Sequence, residues 1–368
     1  MSAQLSGQSG TDLGEHPDEV PCPVPGLIYV ADDGPGITRR RSGDGFEYLD
    51  TDGRRITDPR VIQRINALAI PPAYESVWIC PHEMGHIQAT ARDARGRKQY
   101  RYHSQWKDLR DASKYDRLVE FGKALPRIRR RVERDMSCKG ISSEKVVAVV
   151  VYLLEVTLIR VGSRRYVQSN KSYGLTTLRR RHTTIEGSRV RFRFKGKSGV
   201  PHDVTVNDRR VASMIRRCME IPGQELFQYQ NSDGSIETVD SGAVNDYLKE
   251  AGGGDFTAKH YRTWAASVFA MNQLQQCRAD SPTSARRMLN EVVKSTAKLL
   301  GNTPSVCREC YIHPAVLQTY LEGTLPALES VRTPKGLNAD ERRFFAFLQS
   351  VDALARVSED EEQETPRA

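Results

Sequence analysis

Val146-Val-Ala-Val-Val-Val-Tyr-Leu-Leu-Glu-Val-Thr-Leu-Ile159, running straight into Arg160-Val-Gly-Ser-Arg-Arg-Tyr166, decides the fold class. The apolar run is broken by Glu155 and is too short to cross a bilayer, so it reads as a helix buried on all sides. Such a helix needs a shell of other helices, and the surrounding chain supplies it. Helical periodicity is expected over Gln105–Gly122, Arg127–Arg134, Ala243–Glu250, Ala258–Gln276, Ser284–Leu299 and Asp340–Ala355. One stretch departs from this pattern. Arg189-Val-Arg-Phe-Arg-Phe-Lys195 alternates with period two, so Val190, Phe192 and Phe194 face a core while Arg189, Arg191, Arg193 and Lys195 face outward. Gly196-Lys-Ser-Gly199 is then a turn and Val200–Val206 a returning strand.

Towards the N-terminus the periodicity changes. Short β-rich segments recur at Leu27–Val30, Phe46–Asp50, Ser76–Cys80, His86–Ala91 and Lys98–His103, divided by Gly, Asp and Pro, with one helical insert at Asp58–Leu68. The expected fold class is α+β: a small β-rich N-terminal domain and a larger, mainly α-helical catalytic domain carrying one β-hairpin. Residues 1–25 read as a disordered tail, 26–107 as the β-rich domain, 108–356 as the helical domain and 357–368 as an acidic disordered tail.

Charge narrows the partners. The chain has 368 residues with 55 Lys+Arg against 46 Asp+Glu, a net charge of +9, and five of the acids lie in Glu359–Glu364. The folded body is therefore more basic than the total suggests, which suits a polyanion. Seven scattered cysteines and no secretory signal read as reduced thiols in a cytoplasmic protein.

The stretch Leu300-Gly-Asn-Thr-Pro-Ser-Val-Cys-Arg-Glu-Cys-Tyr-Ile-His-Pro314 is the candidate centre of chemistry. Thr303 and Pro304 are a helix-start signal, and Pro314 ends the helix just after Tyr311. Taken singly, Tyr311 reads as a core ring, Arg160 as a cation at a helix end, Lys197 as a solvated turn residue, Arg262 as surface and Asn302 as a loop residue. Together they are what transfer of a phosphodiester to a tyrosine requires. A phenol attacks phosphorus, two guanidiniums neutralise the non-bridging oxygens, an amide donates to a further oxygen, and a lysine protonates the leaving sugar oxygen.

Six stretches, in order, carry a resemblance: Gly96-Arg-Lys-Gln-Tyr-Arg-Tyr-His103, Leu153-Leu-Glu155 through Ile159-Arg-Val-Gly162, Gly174-Leu-Thr-Thr-Leu178, Phe194-Lys-Gly-Lys-Ser-Gly199, Lys259-His-Tyr-Arg-Thr-Trp-Ala265 and Val306-Cys-Arg-Glu-Cys-Tyr-Ile-His-Pro314. Over roughly Gly26 to Leu325 the chain resembles the type IB DNA topoisomerases, specifically their compact bacterial and poxvirus branch. The resemblance implies that Tyr311 forms a 3′-phosphotyrosyl bond, that Arg160 and Arg262 clamp the scissile phosphate, and that Lys197 is the general acid. It places Asn302 where poxvirus enzymes have a histidine and several bacterial ones an asparagine. It implies DNA contacts from Lys98, Gln99, Tyr100, Tyr102, Tyr166 and Lys259, and a monomer that clamps duplex DNA, preferably supercoiled, at the nucleoid. It implies no cofactor, no metal site and no membrane partner.

Two other readings compete. A tyrosine recombinase uses the same chemistry, but Lys259 stands where recombinases carry a histidine. A basic DNA-binding protein without catalysis would not need the full set of Arg160, Lys197, Arg262 and Tyr311. Cys307 and Cys310 have a zinc-like spacing with no second pair nearby in sequence, Cys80, His82 and His86 read as ordinary sheet and loop residues, and Gly252-Gly-Gly-Asp255 lacks the setting of a phosphate loop.

Overall fold

The computed structural model describes residues 26–364 apart from 44, 95, 97, 107–114, 116, 165, 166, 169, 170 and 327–332. The expected tail 1–25 and the expected DNA contact Tyr166 lie outside the described residues. The chain divides into two compact units, Met1–Ala112 and Ser113–Ala368, a few residues beyond the boundary expected from the change in periodicity.

The N-terminal unit is built on a five-stranded antiparallel sheet of order β2-β1-β3-β4-β5, with β1 Ile37–Ser42, β2 Gly45–Leu49, β3 Glu75–Ile79, β4 Ile87–Arg92 and β5 Lys98–Tyr102. Helix α1, Pro59–Ala67, starts at Asp58, whose carboxylate accepts from the Arg60 amide, and buries Ile65. Ile37, Ile65, Val77, Ile79, Ala89 and Ala91 form the core of the unit. Strand β1 was not expected, because Arg39-Arg40-Arg41 interrupts the alternation by which a half-buried strand is recognised. Arg39 is nevertheless accommodated, donating to the carbonyls of Ile70, Pro71 and Tyr74. The Leu27–Val30 segment contributes only an isolated bridge, Ile28 to Gly85.

The C-terminal unit is mainly helical, so the α+β class holds. Among the described residues its named α-helices are α2 Leu118–Ser137, α3 Ser143–Thr157, α4 Arg209–Glu220, α5 Ser241–Gly252, α6 Ala258–Gln275, α7 Pro282–Leu300, α8 Pro304–Cys310, α9 Pro314–Leu321 and α10 Ala339–Glu364. Helix α3 carries the apolar run that starts at Val146. Ser142 caps it by accepting from the Lys145 amide, and Val146 to Val151, Leu153 and Leu154 are buried. Valine is a middling helix former, and here burial on every side outweighs propensity.

Two expected helices are one. Leu118–Ser137 continues through Gly122 and Pro126, because Phe121, Leu125 and Ile128 are fully buried on one face. Gly122, four residues ahead of the proline, has no side chain, and a Cβ there would lie 2.6 Å from the Trp264 ring. The hairpin is also larger than expected: β6 Thr183–Glu186, β7 Arg189–Lys195 and β8 Pro201–Asn207 make a three-stranded antiparallel sheet. Val190, Phe192 and Phe194 point into the core as the alternation requires. On the outer face the arginines are not all free, since Arg191 makes a bidentate pair with Asp203 at 2.7 and 2.6 Å. A further small ribbon pairs β9 Gln228–Gln230 with β10 Ile236–Thr238.

Helix α10 runs to Glu364, past the Ala355 end that its acidic tail suggested. Ser358 to Glu364 contains neither Gly nor Pro, and Glu and Gln sustain a helix once it is started. Its beginning is anchored by Glu341, which accepts from Arg129 at 2.7 and 3.0 Å and from the Trp264 indole at 3.3 Å.

Candidate active site

The site is assembled from three chain ends in the C-terminal unit. The first is the end of α3. Leu158 closes that helix in the left-handed region at φ 54, a conformation a branched side chain adopts at a cost. Its carbonyl accepts a hydrogen bond from Arg262, and the chain then leaves the helix as Ile159-Arg160-Val161. The Gly174-Leu-Thr-Thr-Leu178 stretch grips this segment: Leu175 N–H donates to the Arg160 carbonyl at 2.9 Å, and Thr176 N–H to the Val161 carbonyl at 2.7 Å. Gly162 has φ +99, and a Cβ there would lie 2.9 Å from the Thr177 hydroxyl, so the close approach needs a glycine.

The second chain end is that of α7. Gly301 caps it at φ 59, and Asn302 N–H donates to the Ala297 carbonyl at 2.9 Å. The side-chain oxygen of Asn302 accepts from Arg160, which orients both groups. Arg262, on the first turns of α6, ties the two ends together by donating to the Leu158 carbonyl and, at 2.7 Å, to the Leu300 carbonyl. It is 3% exposed. Burial, followed by the neighbouring Arg160, lowers its basicity below that of an ordinary guanidinium, although it stays charged.

The third is the end of α8. Thr303 caps this helix through its hydroxyl, Pro304 takes the first turn, and Tyr311 N–H donates to the Cys307 carbonyl at 3.0 Å. Ser267 on α6, fully buried, donates to the Tyr311 carbonyl at 3.1 Å and accepts from the His313 amide at 2.9 Å. The backbone on both sides of the tyrosine is thereby fixed. The Arg262 guanidinium carbon lies 5.2 Å from the centroid of the Tyr311 ring. Burial pushes the phenol upward, but the positive fields of Arg262, Arg160 and the exposed Lys259 outweigh it, leaving Tyr311 below the ordinary phenol value.

These contacts bring Arg160, Arg262, Asn302 and Tyr311 together, with Lys259 near enough for its charge to act on the phenol. Two N–H donors here, Arg262 Nε and Asn302 Nδ2, are buried without a hydrogen-bond partner. Buried donors of this kind suit an oxyanion. Lys197, like Lys259, is exposed; it stands on the turn Lys197–Gly199, where Ser198 adopts φ 64, and is not among the residues joined by the contacts above. His313 faces away from this chemistry: its Nδ1 accepts from the Ala315 amide and caps α9, while its ring packs on Tyr115 and Phe344.

His202 also lies at the site, though no motif in the sequence marks it. It pairs with Phe194 across β7 and β8, stacks on it with centroids 4.9 Å apart, and lies between Gly196 and Gly301. The available signal was its place in the alternation of β8, on the same inward face as Val204 and Val206.

In the N-terminal unit, Tyr100 and Tyr102 share one face of β5 with near-parallel rings 5.9 Å apart, and Tyr102 is exposed. Lys98 lies on that face too, but it is already ion-paired with Asp32. Gln99 donates to Asp93 at 3.0 Å. Cys80, His82 and His86 make no metal cluster, and no group of three or more His, Cys, Asp or Glu side chains suited to a metal occurs among the described residues. Within them no helix is long and apolar enough to cross a membrane.

Comparison with known proteins agrees with this geometry. A sequence profile described as eukaryotic DNA topoisomerase I, catalytic core, matches residues 103–331, and one described as bacterial DNA topoisomerase IB, N-terminal domain, matches residues 45–93. The DNA topoisomerase 1B of Acanthamoeba polyphaga mimivirus is 32% identical over 293 residues, covering 77% of this chain and 87% of the viral protein. The DNA topoisomerase 1B of vaccinia virus (strain Copenhagen) is 23% identical over 248 residues, covering 67% and 75%. The XerH site-specific recombinase structure matches 51% of the chain, and 49% of its own, at a TM-score of 0.30 and 13% identity, too distant to bear on the assignment. A profile spanning well over half of the chain and a relative matched along most of its length, joined to a phenol set among arginines, place this chain in the type IB DNA topoisomerase family.

Proposed function

We propose that the protein nicks one strand of duplex DNA through a 3′-phosphotyrosyl intermediate, lets the free end rotate, and reseals it, relaxing supercoils. The observation that carries this reading is the buried Arg262 guanidinium, which lies against the Tyr311 ring and keeps Nε unpartnered beside the Arg160–Asn302 pair. The Tyr311 oxygen attacks phosphorus as its proton passes to solvent water. The bond to the 5′-oxygen breaks, its electron pair staying on that oxygen, which takes a proton from Lys197. Arg160 and Arg262 neutralise the non-bridging oxygens, and the Asn302 amide donates to one of them. Religation is the same path in reverse. The bond energy is retained in the phosphotyrosine, so neither nucleotide hydrolysis nor a metal is called for by the chemistry.

Lys98, Gln99, Tyr100 and Tyr102 of the N-terminal unit, with Tyr166 and Lys259, contact the duplex, and a monomer closes as a clamp around it. The acidic end of α10 lies outside the catalytic set. A cytoplasmic, nucleoid-associated enzyme of a bacterium is the natural setting for the bacterial-type N-terminal unit. Binding should fall steeply with salt as phosphate contacts displace counterions.

Two variants test the assignment. Tyr311→Phe is expected to bind duplex DNA as the wild type does, to relax no plasmid, and to give no denaturant-resistant adduct; relaxation by this variant removes Tyr311 as nucleophile. Lys197→Ala is expected to slow cleavage far more than binding. A substrate with sulfur in the 5′-bridging position, whose leaving group needs no proton, should restore it, and failure of that rescue counts against Lys197 as the acid.

A further inference from the structure

His202 occupies a gap between two segments that carry different parts of the proposed reaction. Its Cδ2 and Nε2 edge lies against Gly196, where an added Cβ would come within 2.6 Å of both atoms. Its Cε1 lies against Gly301, where an added Cβ would be 2.9 Å away. Its face lies on Phe194, 4.9 Å between centroids and 3° from parallel. Gly196 immediately precedes Lys197, and Gly301 immediately precedes Asn302. The two glycines permit this approach because neither offers a side chain to hold the ring off.

We propose that His202 is a positioning residue that sets the Lys197 turn against the Asn302 loop, so that the proton donor and the phosphate clamp keep one spacing. The inference rests on the function proposed above and deepens it. Among the described residues the backbone hydrogen bonds of the Lys197–Gly199 turn are short-range: Gly196 N–H donates to the Val200 carbonyl at 2.8 Å, Gly199 N–H to the Gly196 carbonyl at 3.0 Å and Val200 N–H to the Lys197 carbonyl at 3.5 Å, while the strand end before it is held by Tyr173 N–H donating to the Lys195 carbonyl at 2.8 Å. Those bonds shape the turn but do not fix where it stands relative to α7. The imidazole does, as a flat body wedged between the two. It works uncharged, since burial first, and then Arg160 and Arg262, lower its basicity. A protonated ring would place a third positive charge beside those two arginines. The ring's contribution is therefore shape rather than proton transfer.

The test is single-turnover cleavage of a labelled duplex carrying either an ordinary 5′-oxygen or a 5′-bridging sulfur at the scissile position, with DNA affinity measured in parallel. His202→Ala is expected to cleave the oxygen substrate at least tenfold more slowly than wild type, to cleave the sulfur substrate within threefold of it, and to bind DNA within twofold. His202→Phe keeps a flat ring on Phe194 and is expected to retain cleavage within threefold, which separates shape from proton transfer. Gly196→Ala, at a backbone conformation of φ −86 that alanine tolerates, forces the ring aside and should show the same sulfur-rescued defect. The double variant Gly196→Ala/His202→Ala should be no slower than His202→Ala alone. Cleavage by His202→Ala within threefold of wild type on the oxygen substrate overturns the proposal. So does a defect that persists undiminished on the sulfur substrate, or a His202→Phe variant as slow as His202→Ala. If His202→Ala does not fold, the sulfur rescue of Gly196→Ala decides the matter. Absence of a Tyr311 adduct with the wild type would instead overturn the function on which this rests, so the two failures are distinct.

Discussion

Replacement of Arg262 by lysine separates what this residue does for the fold from what it does for chemistry. The guanidinium donates to the Leu158 carbonyl and the Leu300 carbonyl while Nε remains available, so one planar group closes α3, closes α7 and keeps a donor for the proposed phosphate contact. An ammonium on a shorter stem cannot reproduce this fork. At least one buried carbonyl loses a charge-assisted bond, which costs about 1.5–3 kcal/mol. The cost is not recovered by rehydration, because lysine carries the same buried charge. In a unit of this size, where each kcal/mol moves the midpoint by about 2–4 °C, the expected loss is roughly 3–12 °C. Cleavage should fall about 10²- to 10³-fold, the usual cost of one oxyanion donor. Thermal unfolding followed by circular dichroism and single-turnover cleavage on the same preparation give both numbers. A variant that melts within one degree of wild type, or that cleaves within threefold of it, would refute the idea that one guanidinium serves both purposes.

Two further outcomes follow from groups outside the reaction. His313 is held neutral by burial, its basicity pushed down to about 4 from the ordinary 6.5. The unfolded chain therefore takes up this proton first, and stability falls as pH drops from about 6.5 towards 4, with about 2 kcal/mol lost from this group by pH 5. His313→Asn keeps a side-chain oxygen for the Ala315 amide without a titrating ring. Urea unfolding at pH 7.5 and pH 5 should show a smaller acid loss for the variant, and equal losses would rule this source out. Asp32→Asn releases Lys98 from its ion pair, and duplex affinity should rise with a salt dependence steeper by up to about one phosphate. An unchanged slope would mean that Lys98 does not reach DNA.

The divide between what was legible beforehand and what was not follows the range of the forces involved. Local chemistry was legible. The Thr303–Pro304 start and the Tyr311 end of α8, the burial of α3 and the alternation of β7 all depend on neighbours a few residues apart. Elements governed by distant partners were misread. Strand β1 hides behind Arg39, whose guanidinium finds carbonyls more than thirty residues away, and α2 runs through Gly122 and Pro126 because its buried face is filled from α6 and α10. Lys98 looked free because Asp32 is remote in sequence.

The amino-acid sequence by itself determined the kinds of group available for chemistry and the local turns that present them: a phenol on a short helix, an arginine at a helix end, a lysine on a turn, an amide after a helix cap. How the phenol, the arginines and the amide converge was decided only by the tertiary structure. Leu158 must turn left-handed so that its carbonyl reaches Arg262, the Leu300 carbonyl must arrive from the other side, and His202 must fit between two glycines more than a hundred residues apart. Each of these contacts is a compromise among backbone strain, desolvation of charge and close packing. No single segment carries enough of those terms to settle it alone.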